Sequence, residues 1–539
     1  MSIRRLRENT MIKLLLMYPN LPLMMSPAMS MAILHAIGKR EGCEVEIFET
    51  TQYSSEFSNK HIRQSEIGAV RANKDDEVKD MFYVADPMQI IPDFLAHVER
   101  FQPDMIMMSV QEDVYRIALQ LLESVSHLNI PNLLGGVLVM SDPALVISNP
   151  LVDQVCVYEG ERVALDIINC LKSGESTSNV KGTWYKDGTK NPPQPLANIA
   201  EVIPDYTCFE VKRWNRPMGG QTFNAAVSLE TYRGCPYNCT YCNSPNTRNI
   251  ANVLEIGNYI RRKDASIVER ELQKFKELYN PDLIMIQDDS FLARPAKEIY
   301  ELCDMWSKYK IPFWMNTRIE NCRPEYLAAL KEAGIYRISL GIESGNAEYR
   351  ENVLMRKVKN EKYEQFLGYI NDSNIPYGLN VIVGMPFETR DMIMETARMV
   401  RNARGYDGIN ISIFQPYRGT KLRQIAVDAG FMDPDHINGW ESGAIGGGFM
   451  DKWALTMPEP YVQESDLTGI IKTFALYCFY GDERWDDIRQ AETDETLRQE
   501  LMKDYTEKFF EPLQQGGADR IQKFCAMHDH SSTYQWEVA

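Results

Sequence analysis

The stretch AAVSLETYRGCPYNCTYC, residues 225–242, decides the fold of the central part of the chain. An apolar run with strand character leads directly into a loop on which Cys235, Cys239 and Cys242 lie within eight residues. In a reducing compartment, cysteines at such close spacing are thiols or metal ligands and not a disulfide framework. These three cysteines are therefore candidate metal ligands.

Three cysteines on one loop fit an iron–sulfur cluster better than zinc. A structural zinc site needs four ligands, and no second Cys or His pair follows at zinc-finger spacing. A cubane cluster uses soft thiolates, and the close spacing suits three of its corners. The fourth iron then lacks a protein ligand and is open to a substrate or cofactor. Zinc and a disulfide are the less favoured alternatives.

The composition places the chain among ordinary globular proteins and restricts its partners. Of 539 residues, 44% are hydrophobic and 25% are charged, and the formal net charge is −17. An acidic chain is not attracted to nucleic acid or to anionic membranes, so we expect neither as the main partner. No apolar run approaches the roughly 20 residues that cross a bilayer, and the start of the chain resembles a buried strand more than a signal peptide. We therefore expect a cytoplasmic protein.

Six strand candidates separated by helical patterns follow between residues 225 and 425. This alternation predicts a partial parallel (β/α)6 barrel, in which chemistry collects at the carboxyl ends of the strands. Polar residues stand at these ends: Asp288 and Asp289 follow the second strand, Arg318 follows the third and Glu343 follows the fourth. We expect these side chains and the cysteine loop to share one barrel mouth.

The segments on either side of the barrel have different patterns. Residues 1–175 alternate five buried-strand candidates with amphipathic helices, which predicts an α/β, doubly wound, Rossmann-like domain. The polar stretch 50–85 fits this pattern poorly, and we expect it to run over the surface. Residues 176–224 are rich in proline and turn formers and are predicted to form a linker. Residues 426–539 are predicted to be mostly helical.

The C-x3-C-x2-C loop after the first strand of a parallel barrel resembles that of the radical S-adenosylmethionine enzymes, and the resemblance covers about residues 225–425. Tyr241, just before the last cysteine, also matches the family pattern. The resemblance implies a [4Fe-4S] cluster on Cys235, Cys239 and Cys242, whose open iron chelates the amino and carboxylate groups of S-adenosylmethionine. One electron then releases a 5′-deoxyadenosyl radical, which abstracts hydrogen from an unactivated carbon. A buried barrel mouth suits this chemistry because it shields the radical from solvent.

Two segments match the parts of the family that hold the methionine end of S-adenosylmethionine. QDDSF, residues 287–291, occupies the position of a Gly-Gly-Glu segment. It lacks the glycines, but Asp288 or Asp289 could accept from an ammonium group, and the alternative is that one of them caps the next helix. Arg318, in NTRIENC, is a candidate partner of the methionine carboxylate, and an ordinary salt bridge explains it equally well.

Two further segments match the nucleoside side of the family site. GIESG, residues 341–345, resembles the ribose-binding segment, which implies that Glu343 accepts from hydroxyl groups. VIVGMPFET, residues 381–389, contains Gly384 and resembles the adenine-side segment, where backbone contacts matter more than side chains. A plain turn after a buried strand explains this second segment equally well.

A doubly wound domain ahead of such a barrel resembles the cobalamin-binding subfamily. In that subfamily the nucleotide tail of cobalamin threads between the sheet and its helices, beside a serine at one strand end and a Gly-Gly pair at the next. Glycines at strand ends permit this close approach. FQPYRGTKL, residues 414–422, is also typical of the last barrel strand of the subfamily. The matching positions in the first domain are Ser109, Val110, Gly135, Gly136, Glu159 and Gly160.

The sequence differs from that of many cobalamin proteins in the residue expected to ligate cobalt. Many cobalamin proteins carry a D-x-H-x-x-G motif whose histidine ligates cobalt from below, and this chain has no such motif. His35, His61, His97 and His127 stand in other sequence contexts and are interpreted as surface or packing residues. We therefore expect cobalt without a histidine, and without the cofactor's own base, on its lower face.

Three functions compete. The favoured one is methylation of an unactivated carbon in a small-molecule, lipid or peptide substrate, with the radical activating the substrate and methylcobalamin supplying the methyl group. The second is a radical cyclisation or rearrangement without net methylation. The third is a non-catalytic, cobalamin-binding regulatory protein, which the intact cysteine motif disfavours. The enzymatic functions imply an external electron donor such as flavodoxin or ferredoxin, and the sequence assigns no catalytic acid or base.

Overall fold

The computed structural model describes residues 11–21, 26–53, 85–218, 221–439 and 453–510. Most of the polar stretch that was expected on the surface, residues 54–84, lies outside the described residues. Within the described ranges, no helix is long and apolar enough to cross a membrane.

The first domain is built on a six-stranded sheet with the order β2-β1-β3-β4-β5-β6. Its strands are β1 (Lys13–Tyr18), β2 (Glu44–Glu49), β3 (Met105–Ser109), β4 (Asn132–Gly135), β5 (Gln154–Cys156) and β6 (Thr183–Tyr185). The five predicted strands are confirmed, and all five are parallel. The strand order reverses direction between β1 and β3, which is the switch point where doubly wound sheets bind ligands.

Helices cover both faces of this sheet, which explains why its strands are uninterrupted apolar runs. Leu14 and Leu16 belong to the core on one face, whereas Leu15 and Met17 belong to the core on the other. The helices of this domain are Met29–Arg40, Ile90–Phe101, Tyr115–Val125, Val137–Ser141, Pro143–Ile147 and Gly160–Ser173.

The segment predicted as a linker contains regular structure. β6 comes from this segment and pairs antiparallel with β5, with Val155 opposite Trp184. β7 (Arg216–Met218) and β8 (Gln221–Phe223) then form an antiparallel hairpin. Both features are strands of three residues, too short to produce a periodic sequence pattern.

The second domain is a half-barrel whose six parallel strands have the order β16-β15-β14-β13-β12-β9. They are β9 (Ala226–Leu229), β12 (Leu283–Ile286), β13 (Phe313–Arg318), β14 (Ile335–Glu343), β15 (Tyr377–Val383) and β16 (Ile409–Ile413). All six predicted strands are confirmed. A small antiparallel pair, β10 (Tyr232–Arg233) and β11 (Arg261–Arg262), follows the first strand. The helices are Ser244–Val253, Ala265–Tyr279, Ala296–Ser307, Pro324–Ala333, Ala347–Asn352, Asn360–Ser373 and Arg390–Ala403.

The concave inner face of the half-barrel, called the lumen below, is covered at one end by the β7–β8 hairpin. Met218 and Phe223 of the hairpin pack against Leu283 and Met285, near the amino-terminal ends of the barrel strands. The Tyr336 hydroxyl on β14 donates to the Met218 carbonyl at 2.9 Å. The carboxyl ends, where chemistry is expected, lie at the opposite end of the lumen.

Helices follow the last barrel strand in the described part of the chain up to residue 510, as predicted. They are Lys421–Asp428, Glu464–Phe479, Trp485–Ala491 and Glu495–Tyr505. Arg390, at the start of the last barrel helix, donates to the Tyr477 hydroxyl at 3.1 Å and forms an ion pair with Glu492. These contacts attach the carboxyl-terminal helices to the outside of the half-barrel.

Candidate active site at the mouth of the half-barrel

The three cysteines lie on a tightly held loop between β10 and the helix that starts at Ser244. The Arg248 guanidinium donates to the Cys235 carbonyl at 2.7 Å, and the Ser244 amide donates to Cys242 Sγ at 3.4 Å. Burial raises the pKa of Cys235 to about 11 and that of Cys242 to about 12. These groups are thiols at neutral pH unless a cation stabilises the thiolates, so the loop suits a metal-binding role.

The arrangement differs from a site for one metal ion. Among the described residues, no three Cys, His, Asp or Glu side chains surround a common point as a single-ion site requires. A cubane cluster takes each cysteine through a different iron, so its ligands need not converge on one point. The three cysteines on the loop are free thiols, and their placement fits a cluster better than a zinc ion.

Arg318, at the end of β13, lies beside the cysteine loop as expected. Its Nη1 is 3.6 Å from Cys239 Sγ, and its guanidinium lies 3.9 Å from the centre of the Tyr237 ring. It also forms an ion pair with Glu320, which corresponds to the salt-bridge alternative. Its buried Nε has no hydrogen-bond partner, so the guanidinium retains a donor for a ligand.

The two neighbouring aspartates after β12 have different environments. Asp288 is buried, and its carboxylate accepts from the amides of Thr231 and Tyr232 at 2.8 and 3.0 Å and from Arg294 at 2.6 Å. These hydrogen bonds occupy the carboxylate oxygens of Asp288 and hold the start of the cysteine loop in place. Asp289 is exposed, and its Oδ2 lies 3.5 Å from the Ser244 hydroxyl. Of the two aspartates, Asp289 is the one placed to meet a ligand.

The surroundings of Asp289 also change its protonation. The surrounding protein reduces the hydration of the carboxylate, and this effect, followed by repulsion from Asp288 and Glu230, raises the pKa of Asp289. A cationic ligand beside it would favour the ionised form.

Glu343, at the end of β14, is held by a buried arginine that the sequence did not reveal. Glu343 Oε1 accepts from Arg356 Nη1 at 3.1 Å and from the Tyr241 hydroxyl at 3.3 Å. Arg356 Nη2 donates to the Gly341 carbonyl at 2.9 Å. Burial raises the pKa of Glu343, and the Arg356 charge opposes this shift. Tyr241 thus links the cysteine loop to the strand end that carries Glu343.

The backbone at Glu343 is strained and leaves no room for a side chain at Gly341. Glu343 has a φ of +65°, in the left-handed region that costs energy for a residue other than glycine. A Cβ at Gly341 would lie 2.2 Å from Glu343 Oε1. Such strain is typical of functional positions, and here it sets the direction of the Glu343 carboxylate.

Gly384 forms a turn after β15, as the sequence predicted. Its φ is +77°, and a Cβ there would lie 2.8 Å from a methyl carbon of Leu467. The Trp453 indole donates to its carbonyl at 2.8 Å. The Glu388 carboxylate accepts from the amides of Gly384 and Met385 at 2.7 and 3.2 Å. Contacts at this turn are therefore made through the backbone.

A cleft of about 330 Å³ opens at the carboxyl edge of the first sheet. Five of the six positions predicted to contact cobalamin line it: Ser109, Gly135, Gly136, Glu159 and Gly160. Val110 stands behind the lining, where its amide donates to the Gly135 carbonyl at 2.8 Å and its carbonyl accepts from Leu138 at 3.3 Å. Among the described residues no histidine lines this cleft, and His61 lies outside them.

Gly136, on the lining of the cleft, has a backbone conformation and close neighbours that exclude a side chain. It has a φ of +98°, and a Cβ there would lie 2.6 Å from both the amide nitrogen and the carbonyl oxygen of Val110. Because backbone atoms cannot move away as a flexible side chain can, only glycine fits at this position.

Glu159 lines the cleft but also connects the two domains. Its carboxylate accepts from Arg233 at 3.2 Å and from Arg261 at 2.7 Å, and it also accepts from the Ala197 amide at 2.9 Å. Both arginines belong to the antiparallel pair beside the cysteine loop. The sequence identified Glu159 through its strand end, but not this ion pair.

A second buried carboxylate, Glu112, joins the domains near residues 414–422. It accepts from the Arg418 amide at 2.8 Å, from the Asn438 amide at 3.1 Å and from Arg423 at 3.4 Å. The FQPYRGTKL segment thus contacts the first domain directly. The two domains therefore place the cleft and the half-barrel mouth side by side.

Family models match both domains. Residues 26–168 match the B12 binding domain, and residues 229–400 match the Radical SAM superfamily. The chain therefore belongs to the radical S-adenosylmethionine superfamily. The B12-binding domain ahead of the radical domain places it among the cobalamin-dependent enzymes of that superfamily.

Two relatives with different activities are similar to the chain. An uncharacterized methyltransferase of Pyrococcus horikoshii is 26% identical over 345 residues, which cover 61% of this chain and 71% of the relative. The anaerobic magnesium-protoporphyrin IX monomethyl ester cyclase of Rubrivivax gelatinosus is 24% identical over 296 residues, which cover 52% of this chain and 50% of the relative. The chain thus spans about half the length of the cyclase.

A solved structure has the same arrangement of domains. The radical S-adenosylmethionine methyltransferase TsrM from Kitasatospora setae, with cobalamin and a [4Fe-4S] cluster bound, matches with a TM-score of 0.59 and 13% sequence identity. The match covers 92% of this chain and 99% of that chain. At this identity the similarity shows a shared fold.

Proposed function

We propose that the protein methylates an unactivated carbon atom with S-adenosylmethionine and cobalamin. The observation that carries the proposal is that the cleft at the carboxyl edge of the first sheet lies beside the mouth of the half-barrel. Glu230 and Arg233, between the carboxyl end of β9 and the cysteine loop, line this cleft together with Ser109 and Gly136. A group held in the cleft can therefore meet a substrate at the barrel mouth without leaving the protein.

The proposed cofactor contacts follow from the geometry. Cys235, Cys239 and Cys242 would hold the [4Fe-4S] cluster through their thiolates. Arg318 would contact the methionine carboxylate and Asp289 the amino group, since both stand beside the cysteine loop with a donor or acceptor available. When bound, the cluster supplies the electron that cleaves S-adenosylmethionine, and cobalamin carries the methyl group.

The nucleoside and the cobalamin tail would bind through the remaining groups. Glu343, fixed by Arg356, would accept from the ribose hydroxyls, and the backbone around Gly384 would contact the adenine. The cleft at Gly136 would hold the nucleotide tail. Asp288 acts on the site indirectly, because it positions the strand end that leads into the cysteine loop.

The proposed reaction consumes two molecules of S-adenosylmethionine in different ways. One is cleaved reductively to methionine and a 5′-deoxyadenosyl radical, which takes a hydrogen atom from the substrate carbon and becomes 5′-deoxyadenosine. The other gives up its methyl group and becomes S-adenosylhomocysteine, and that methyl group replaces the abstracted hydrogen. Two electrons from an external donor balance the loss of both sulfonium charges. Flavodoxin or ferredoxin is the proposed donor, and a cytoplasmic location remains a prediction.

Isotope transfer tests the proposal. Anaerobic, cofactor-loaded protein is incubated with a chemical reductant, S-adenosylmethionine carrying a deuterated methyl group, and extract from cells that lack the protein. We expect one metabolite to gain a deuterated methyl group, with 5′-deoxyadenosine and S-adenosylhomocysteine formed in near-equal amounts. The matched control is the variant in which all three loop cysteines are alanine, and it should form no 5′-deoxyadenosine.

Cyclisation or rearrangement is the second candidate function, and the similarity to the Rubrivivax gelatinosus cyclase favours including it. It predicts substrate-dependent 5′-deoxyadenosine without S-adenosylhomocysteine. If that product pattern is found, cyclisation or rearrangement is the proposed reaction in place of methylation. Absence of both products under reducing conditions would instead support the non-catalytic, regulatory alternative.

A further inference from the structure

The lumen carries a ladder of amide and hydroxyl side chains. Gln287 Nε2 donates to Ser228 Oγ at 3.0 Å. Asn380 Nδ2 donates to Ser339 Oγ at 2.9 Å, and Asn410 Nδ2 donates to Asn380 Oδ1 at 3.0 Å. On β13 to β16 these inner positions are partly exposed, whereas the residues between them are buried beneath the helices. The lumen is therefore polar and accessible, unlike the packed interior of a closed barrel.

A single arginine stands where this lumen meets the first domain. Arg216 begins β7 on the same face as Met218, which packs against the inner side of the barrel strands. Arg216 Nη1 lies 3.5 Å from Ser26 Oγ, and the same hydroxyl contacts Met285 Sδ at 3.7 Å. The guanidinium is thus next to the space between the two cofactor domains.

Arg216 has no counterion among the described residues. None of the described carboxylates forms an ion pair with it, and its buried Nε has no hydrogen-bond partner. Loss of hydration lowers the pKa of Arg216 to about 10, so the group is still protonated at neutral pH. The side chain is partly exposed, so the guanidinium is accessible to a ligand, and no described carboxylate compensates its charge.

Buried arginines elsewhere in the chain have acceptors. Arg213 pairs with Glu49 at 2.6 Å. Arg350 has no carboxylate partner, but it donates to the Ser344 carbonyl at 2.8 Å. Among the described residues, Arg216 has only the hydroxyl of Ser26, at the limit of hydrogen-bond distance. This difference leaves the guanidinium available to an acceptor that the described residues do not supply.

We propose that Arg216 binds a carboxylate or phosphate group of the methyl-accepting substrate. The inference rests on the proposed function and specifies its substrate class as a small polar acid or phosphate ester, in preference to a neutral lipid. A guanidinium presents parallel N–H groups to such an oxyanion, which fixes orientation as well as affinity. The amide ladder would then contact the neutral polar parts of the same molecule.

The first test uses inorganic phosphate as the probe on cofactor-loaded protein. Modification of Arg216 by phenylglyoxal is followed by peptide mass spectrometry, with Arg489, an exposed residue on the helix Trp485–Ala491, as the internal control. We expect phosphate to slow modification of Arg216 and not of Arg489. Equal rates with and without phosphate would overturn the inference.

The second test separates the substrate from the cofactors as the source of the anion. We compare Arg216→Gln and Arg216→Lys with Arg489→Gln. In Arg216→Gln we expect methylation of the metabolite found by isotope transfer to need at least about tenfold more substrate, because a charge-assisted hydrogen bond is lost. Arg216→Lys should recover part of this loss, which a purely structural role would not predict. Arg489→Gln should behave as the wild type.

Cofactor measurements complete the comparison. Cobalamin retention and substrate-independent 5′-deoxyadenosine formation should be unchanged in Arg216→Gln. A loss of either would assign the arginine to cobalamin or S-adenosylmethionine and overturn the substrate assignment. A methylated metabolite without an acidic group would also overturn it. The proposed methylation would stand in both cases, because it is measured by isotope transfer in the wild-type protein.

Discussion

Replacing Glu388 with glutamine will remove a pH-dependent loss of stability at the turn after β15. Glu388 is fully buried, and its Oε2 accepts from the amides of Gly384 and Met385. Within the described ranges, no basic group contributes to its pKa shift, and its Oε1 has no hydrogen-bond partner. Burial therefore raises the pKa of Glu388 from 4.5 to about 8. Glutamine keeps an oxygen acceptor for both amides but does not ionise.

The size and sign of the effect follow from the pKa shift. The folded state binds this proton more tightly than the unfolded state, so the full stability is present below about pH 4.5 and is lost as the pH rises to about 8. A pKa difference of about 3.5 between the folded and unfolded states corresponds to about 5 kcal/mol of unfolding free energy. This is about 1.4 kcal/mol for each pH unit between about pH 4.5 and 8. Between pH 5.5 and 7.5, the stability of the wild-type protein should fall by about 3 kcal/mol more than that of Glu388→Gln.

Hydrogen–deuterium exchange of the peptide 377–389 measures this difference locally. Both proteins are compared at the same pH, so that the intrinsic exchange chemistry cancels. The ratio of wild-type to variant exchange rates should rise about 100-fold between pH 5.5 and 7.5, provided that opening of the turn exposes Glu388. Glu351→Gln, at an exposed position on the helix Ala347–Asn352, is the control and should give a constant ratio. A constant ratio for Glu388→Gln would refute the reasoning.

Three further expectations concern the cofactors. Changing Cys235, Cys239 and Cys242 together to alanine should leave a folded protein without the brown iron–sulfur absorption, and iron retained by this variant would contradict the cluster assignment. Gly136→Ala should retain at least about tenfold less cobalamin after reconstitution, because its φ alone costs on the order of 1–2 kcal/mol and its methyl group meets the Val110 backbone. Its circular dichroism should be unchanged, and equal retention would show that the cleft is not the cobalamin site. The cobalt(II) form should give an electron paramagnetic resonance spectrum without axial nitrogen splitting, and such splitting would exclude cobalt that lacks a nitrogen ligand below.

The strands were predictable because burial on both faces produces long apolar runs. LIMI at 283–286 and KLLLMY at 13–18 have no polar residue at the core positions, and turn residues follow both. β6 and the β7–β8 hairpin were not predictable, since each strand has three residues and one contains a proline, Pro217. Their pairing depends on sheets that are completed elsewhere in the chain.

The candidate site could be predicted as a location, but not in its detailed contacts. Strand ends indicated where Asp288, Asp289 and Glu343 would lie, but adjacent residues point in different directions, and the sequence could not tell which aspartate would be enclosed. Arg356 and Arg216 were missed for a different reason. A buried arginine has no local sequence pattern, because its burial is decided by residues that are distant in the chain.

The acidic residues that join the two domains restrict how the chain can be divided or recombined. Glu112 and Glu159 belong to the first domain, but the arginines that neutralise them belong to the second. A fragment ending near residue 175 would expose both carboxylates and the apolar surface around them, so it should be poorly soluble even though its sheet is nearly complete. A chimaera that joins this half-barrel to the B12-binding domain of another protein would need acids at both positions, or Arg261 and Arg423 would be left without counterions among the described residues.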